Sequence, residues 1–320
     1  MLQLRRWLWL AAALLATAVA LLATVGVTVD ASRWRAQLSE RLAGTLGRPV
    51  ALDGPVHVVV SLSPRLRAER VRLPNPPGFA ASNLLSIGEL RVHADLWPLL
   101  AGKARVRELI ARDVNLRLER DARGQGNWSR PLAPALDREA AGGLARLDLH
   151  RLVVEGAAIE YGGAGRPRRA EIAELTAEAR AGRAARAELK GAAGGSDYVL
   201  TLAGAPLSRL GTSESWPWTI DGRFGSARVR GEGRISGPLA QPEAELRFDV
   251  DAPDAGALGA ALGAPVPPLG AVAASGSLHL AAGRAALRGM RLSAGQSAIS
   301  GDLALDWSGP RPRLTGALDS

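Results

Sequence analysis

The sequence predicts a mainly β body carried behind one apolar N-terminal helix, and three observations predict it. No residue between Leu8 and Val29 is charged. From Val50 onward apolar and polar residues alternate with period two. Glycine (37) and proline (20) are dense in a chain of 320 residues, which favours many short elements joined by turns.

The N-terminal run comes first. Twenty-two residues at ~1.5 Å each span ~33 Å, enough for the hydrocarbon core of a bilayer. Arg5 and Arg6 precede it and, by the positive-inside rule, hold the N-terminus in the cytoplasm. Trp7 and Trp9 stand where interfacial aromatics anchor a span. Ala18-Val19-Ala20 offers a small-x-small cleavage site, but the apolar run continues past it, which favours an uncleaved anchor. The anchor is thus marked by Arg5, Arg6, Leu8 and Val29, as a unit over residues 1–29, with everything after Asp30 outside the cytoplasm.

Residues 30–47 read as a short amphipathic helix. Trp34, Leu38, Leu42 and Leu46 recur every four residues, with Arg33, Arg35, Gln37, Glu40 and Arg41 on the other faces. Ser32 suits an N-cap, and Gly47 followed by Pro49 is a stop signal. Such a helix packs on the following domain or lies on the membrane surface.

Residues 48–320 carry the strands. Val114, Leu116 and Leu118 alternate with Asn115, Arg117 and Glu119. Leu246, Phe248 and Val250 alternate with Arg247 and Asp249. Leu278 and Leu280 flank His279, and Leu303 and Leu305 alternate with Ala304 and Asp306. One apolar and one polar side means half-buried antiparallel strands. Turn signals such as Asn75-Pro76-Pro77-Gly78 and Ser236-Gly237-Pro238 separate them. Between Ala170 and Lys190 the Ala, Glu and Arg content suits helix on propensity alone; the pattern fits either, and strand is the reading held there.

Chemistry is sparse. With no cysteine, disulfides, thiolate metal sites and cysteine nucleophiles are excluded. His57, His93, His150 and His279 are dispersed without a second ligand at metal-site spacing. Asp249, Asp251 and Asp254 lack the glycine and distant glutamate of a calcium loop and read better as a strand end and turn. Gly231-Glu232-Gly233 misses the dinucleotide spacing, and neither a phosphate loop nor a nucleophile elbow is present. No catalytic residue, cofactor or metal is expected, and the protein is not read as an enzyme.

The formal charge of +9 would suit an anionic partner, but lysine occurs only at Lys103 and Lys190. Arginine bias alongside Ala, Gly and Pro is what a GC-rich coding sequence yields without selection for binding. Arg166, Arg168 and Arg169 around Pro167 read as an anion-binding loop or, more simply, as a solvated turn. Without interleaved aromatics, nucleic-acid binding has no support.

Several segments carry a resemblance in order: Gly47-Arg48-Pro49-Val50, Ser61-Leu62-Ser63-Pro64-Arg65-Leu66, Asn75-Pro76-Pro77-Gly78-Phe79, Leu96-Trp97-Pro98-Leu99-Leu100-Ala101-Gly102, Val114 through Asp121, and Gly126-Asn127-Trp128. Behind a single N-terminal span, this series resembles the AsmA family of Gram-negative envelope proteins. The first third carries the specific motifs; the rest matches in rhythm. The resemblance implies a single-pass inner-membrane protein with a periplasmic body, whose fold is a long curved antiparallel β-sheet forming an apolar groove. It implies outer-membrane biogenesis, with phospholipid acyl chains as ligand and the inner membrane and envelope proteins as partners. Candidate groove residues are then Val114, Leu116, Leu118, Leu246, Phe248, Val250, Leu278, Leu280, Leu303 and Leu305. The alternatives are a closed β-sandwich for the fold and a lipid-free assembly scaffold for the function.

Overall fold

A computed structural model describes residue 17 and residues 26–61, 63–95, 105–120, 126–128, 148–162, 168–180, 182–210, 214–237, 242–256, 259, 270–308 and 312–320. Arg5, Arg6 and Leu8 of the expected anchor lie outside the described residues, as do Leu96–Gly102 and Arg166. Among the described residues no helix is long and apolar enough to cross a membrane.

The chain opens with strand β1 (Val27–Asp30), a 3-10 turn (Ser32–Trp34) and helix α1 (Arg35–Leu46). Strands β2 (Ala51–Leu52), β3 (Val56–Val60), β4 (Arg65–Pro74), β5 (Asn83–Ala94) and β6 (Arg105–Glu119) follow. Next come β7 (Asp148–Gly162), β8 (Arg168–Glu178), β9 (Ala185–Ala193), β10 (Ser196–Gly204), β11 (Trp216–Phe224) and β12 (Ala227–Ser236). The last are β13 (Glu243–Ala252), β14 (Val272–Ala281), β15 (Arg284–Ala294), β16 (Ser297–Asp306) and β17 (Arg313–Asp319). All belong to one open, curved 17-stranded sheet. A single ladder, and not a closed sandwich, is therefore the arrangement of the described strands.

The pairings run β1–β3–β4–β5 and onward in chain order to β17, with β2 beside β3 on the same side of β4. Tight turns make this meander possible. Gly194 and Gly195 join β9 to β10 with φ of 56° and 82°, the left-handed pair that a two-residue hairpin needs. The expectation of a wholly antiparallel sheet fails at one joint: β6 and β7 are parallel. The chain between Glu119 and Asp148 is long enough to return to the starting edge, which a hairpin cannot do.

Three further expectations are corrected. Val29 does not end a helix: it lies in β1, opposite Val58. The sheet also begins ahead of α1 and not at residue 48. Ser32 does not cap α1; its hydroxyl accepts from the Val56 N–H at 3.1 Å, while its own N–H donates to Asp30 Oδ1. The strand reading of Ala170–Lys190 holds at residues 170–178 and 185–190, in β8 and β9, where cross-strand pairing of Leu175 with Leu189 outweighs helix propensity. Gly47 does end α1, in the left-handed conformation at φ 63°.

The sheet is creased. Between Glu69 and Val71, Ile87 and Glu89, Arg112 and Val114, Glu155 and Ala157, and Ile172 and Glu174, each strand carries one residue outside the register. These bulges form a line across β4–β8, with Arg70, Asp113 and Gly156 at φ of 51°, 52° and 66°. A bulge bends its strand and increases local twist, so aligned bulges curve the sheet as a whole.

Candidate functional site

Antiparallel and parallel partners in register point to the same side of a sheet, so one face can be followed strand by strand. From Val56 the register leads to Ala68, Leu90, Ala111, Val154 and Leu175. It continues through Leu189, Leu200, Gly222, Val229 and Val250, and ends through Ala274 and Leu292 at Ile299. Every position in this row is apolar or glycine. Through β4–β8 the row stays on one side of the crease.

All ten candidate groove residues share this face. Leu246 opposes Leu278, Leu278 opposes Leu287, and Leu287 opposes Leu303. Leu280 and Leu305 flank Ala285, and Phe248 and Val250 continue along β13. On β6, Val114, Leu116 and Leu118 align with Ala157, Ile159 and Tyr161.

The opposite face is charged. One row runs Glu69, Glu89, Arg112, Glu155, Glu174 and Lys190. Arg112 bonds Glu155 at 2.6 Å and stands 3.6 Å from Glu89. The hydrogen bond from Arg91 and the cations of Arg67 and Arg112 hold the Glu89 carboxyl below the usual range. His279 and His93 face Glu245 and Glu108 at 3.3 and 3.2 Å, one contact each, on separate strands. Asp254 accepts from the Gly256 N–H in a turn, and Arg169 pairs with Glu160 and Glu171. A surface hollow of about 950 Å³ also lies among charged-face side chains, including Arg234, Glu245, Arg247 and His279.

The apolar face is unevenly covered. Leu38 of α1 packs with Leu52, Val58 and Leu66 against buried Ala31, Val56 and Ala68, closing the first strands. Trp34 and Leu42 of the same helical stripe stay exposed. Farther along, among the described residues, the face is half-exposed: Leu280 is 40% and Leu305 38% accessible, and Ile299 is 39%. The site is a long apolar strip, roofed at one end.

That roofed end is held by a polar knot which residue patterns alone did not reveal. Asn127 is 1% exposed. Its Nδ2 donates to Asn75 Oδ1 at 3.0 Å and to the Arg117 carbonyl at 2.7 Å. Its Oδ1 accepts from the Glu119 N–H, and its carbonyl accepts from Arg48 Nη2. The Glu119 carboxylate accepts from the N–H groups of Ala80 and Ala81, pinning the turn after Asn75. Three segments distant in sequence, Gly47–Val50, Asn75–Phe79 and Gly126–Trp128, thus meet at one buried residue. A model of the AsmA family matches residues 3–169.

The chain belongs to the AsmA family. No curated protein and no solved structure matches it. The family match ends inside β8, yet the apolar row continues without a break to β16. In this AsmA-family protein the motif residues therefore build one end of the sheet, and the less distinctive remainder extends the same face.

Proposed function

We propose that this AsmA-family protein is anchored in the bacterial inner membrane by its N-terminal apolar segment, extends into the periplasm, and binds or conducts phospholipid acyl chains along its apolar face in outer-membrane biogenesis. The observation that carries the reading is the uninterrupted apolar row from Val56 to Ile299, half-exposed over most of its course. Thirteen interstrand steps of ~4.8 Å make the path roughly 60 Å long. Uncovered hydrocarbon of that extent is unfavourable in water at roughly 25 cal/mol per Å², and acyl chains lying in it would remove that cost without fixing one geometry. The match to the family from residue 3 includes the apolar segment, which supports its role as an anchor. Alkaline phosphatase fused after Ser320 should be active, and a mature N-terminus at Leu21 would overturn the anchor.

Photocrosslinkers at Leu116, Leu246, Phe248, Leu280 and Leu305 test the groove. Lipid adducts are expected at all five and not at Arg117 or His279, one residue away on the charged face. Labelling without that alternation overturns the reading.

One observation favours a scaffold instead. Strand β17 pairs with β16, every residue of it is exposed, and Leu314 and Leu318 are 67% and 54% accessible. Such an edge can template an added strand. Mild detergent extraction separates the two: near-stoichiometric phospholipid favours the groove, and a lipid-free protein retaining an envelope partner favours the scaffold.

A further inference from the structure

Charge is distributed unequally between the two rims of the sheet. One rim contains the start of β1, where the chain enters from its N-terminal segment, together with the ends of β3 and β5 and the starts of β4, β6, β7 and β9. Arg65 opens β4, Arg91 and His93 close β5, Arg105 and Arg107 open β6, and Arg151 opens β7. Arg180 and Arg183 lie in the β8–β9 connection, and Arg186 opens β9. Against these stand Asp95, Glu108, Asp148 and Glu178. Arg107 pairs with Asp95, and Arg151 lies 3.7 Å from Glu108. Exposed Arg65, Arg180, Arg183 and Arg186 have no ion pair among the described residues.

Along the opposite rim of the same strands more of the described arginines are paired. Arg72 pairs with Asp53, and Arg117 and Arg169 share Glu160, although Arg168 has no such partner. Beyond β9 the first rim carries ion pairs too: Arg209 pairs with Glu214, Arg234 with Glu245 and Arg284 with Asp306. A compositional bias toward arginine would load every rim alike. Among the described residues the surplus lies along this rim between β4 and β9.

Two neighbouring features point outward from the same corner. Val27 and Val60 oppose each other at the outer end of β1 and β3, and are 47% and 55% exposed. Beside them is a hollow of about 580 Å³ whose lining includes His57, Arg65, Arg67, Arg91 and His93. Glu89 engages Arg67 and Arg91, leaving Arg65 as the surplus cation there. An exposed valine pair beside the unpaired guanidinium of Arg65 matches the layering of a bilayer interface, apolar atoms inward and cations at the phosphates.

We infer that this rim, from β1 to β9, rests on the anionic phospholipid headgroups of the bilayer, as a second contact besides the N-terminal segment. The orientation rests on the anchored reading proposed above. It would stand the sheet with its strands toward the membrane and set the roofed end of the apolar face at the lipid surface.

Because the chain has no cysteine, a single Ser63→Cys carries an environment-sensitive fluorophore at this rim, and Ser82→Cys carries one at the other. The full chain is reconstituted in vesicles of phosphatidylcholine, with or without phosphatidylglycerol. A blue shift is expected at position 63 and not at 82, only with phosphatidylglycerol, and reversed by on the order of 1 M NaCl, where the screening length is ~3 Å. R65Q, R180Q and R183Q should together abolish it, since each arginine near an anionic surface contributes roughly fivefold to contact. Identical emission in both lipids, with the chain retained after a urea wash, overturns the rim and leaves the anchor. A chain washed off by urea overturns the anchor. The rim is then decided by low-salt sedimentation with phosphatidylglycerol vesicles: co-sedimentation that R65Q, R180Q and R183Q abolish supports it, and its absence overturns it.

Discussion

Asn127 donates its amide to the side-chain oxygen of Asn75 across 3.0 Å, joining residues 52 positions apart in the chain. With the bonds to Arg117, Glu119 and Arg48, every polar atom of this buried asparagine is engaged. Asn127→Ala would leave the Glu119 N–H and the Arg117 carbonyl without their partner. We expect a loss of about 2–3 kcal/mol in urea unfolding, and no loss in Arg168→Gln, which has no such contact.

The crease gives a second expectation. Asp113 holds φ of 52° beside Gly156 at 66°, a region short polar residues tolerate and β-branched ones do not. Asp113→Gly should keep stability within about 1 kcal/mol, whereas Asp113→Val should cost roughly 1–3 kcal/mol. Thermal melts of the two variants against the parent decide it. At Gly88 an added Cβ would stand 2.9 Å from the Asp113 Cβ, so Gly88→Ala should be damaging as well.

Acid should weaken the protein through the charged face. Glu89 has its carboxyl depressed from the ordinary value of 4.5, first by the Arg91 hydrogen bond and then by the surrounding guanidiniums. A depressed carboxyl contributes stability that is present above its unfolded value and lost as pH falls through the folded one. Unfolding midpoints measured downward from pH 5 should therefore drop less steeply in Glu89→Gln than in the parent. Equal slopes would show that the ladder contributes nothing.

Tyr198 offers the complementary test at high pH. Its phenol lies over Gly191 and donates to the Glu171 carbonyl at 2.9 Å, and burial raises its pKa from 10. Stability linked to a raised group is present below the unfolded pKa and lost as pH climbs through the folded one. Tyr198→Phe should cost about 1 kcal/mol at neutral pH and lose less than the parent above pH 10.

On the apolar face, Leu246→Asp with Leu280→Asp should lower bound phospholipid, because two carboxylates would stand against hydrocarbon. Substitutions at Arg117 and His279 should change little. Quantifying co-purified lipid phosphorus per chain gives the comparison directly.

The period-two alternation alone determined that residues such as Leu116, Leu246 and Leu305 would occupy strands with one apolar side, because side chains alternate strictly across a pleated backbone. It also marked where turns fall, at Asn75-Pro76-Pro77-Gly78 for example, because proline and glycine restrict or free the backbone locally. These are near-neighbour effects, written into a few consecutive residues. What lies between distant residues was not written there. The parallel joint of β6 and β7 depends on where a long connection returns. The bulge at Asp113 breaks the alternation in a single strand and gains meaning only when Arg70, Gly88 and Gly156 line up beside it. Val29 reads as part of an apolar run until its pairing with Val58 claims it for the sheet. That Asn75, Asn127, Glu119 and Arg48 form one knot, and that one face stays apolar across strands β3 to β16, was decided by register. Register is a tertiary property, set by the summed pairing of whole strands and not by any one of them.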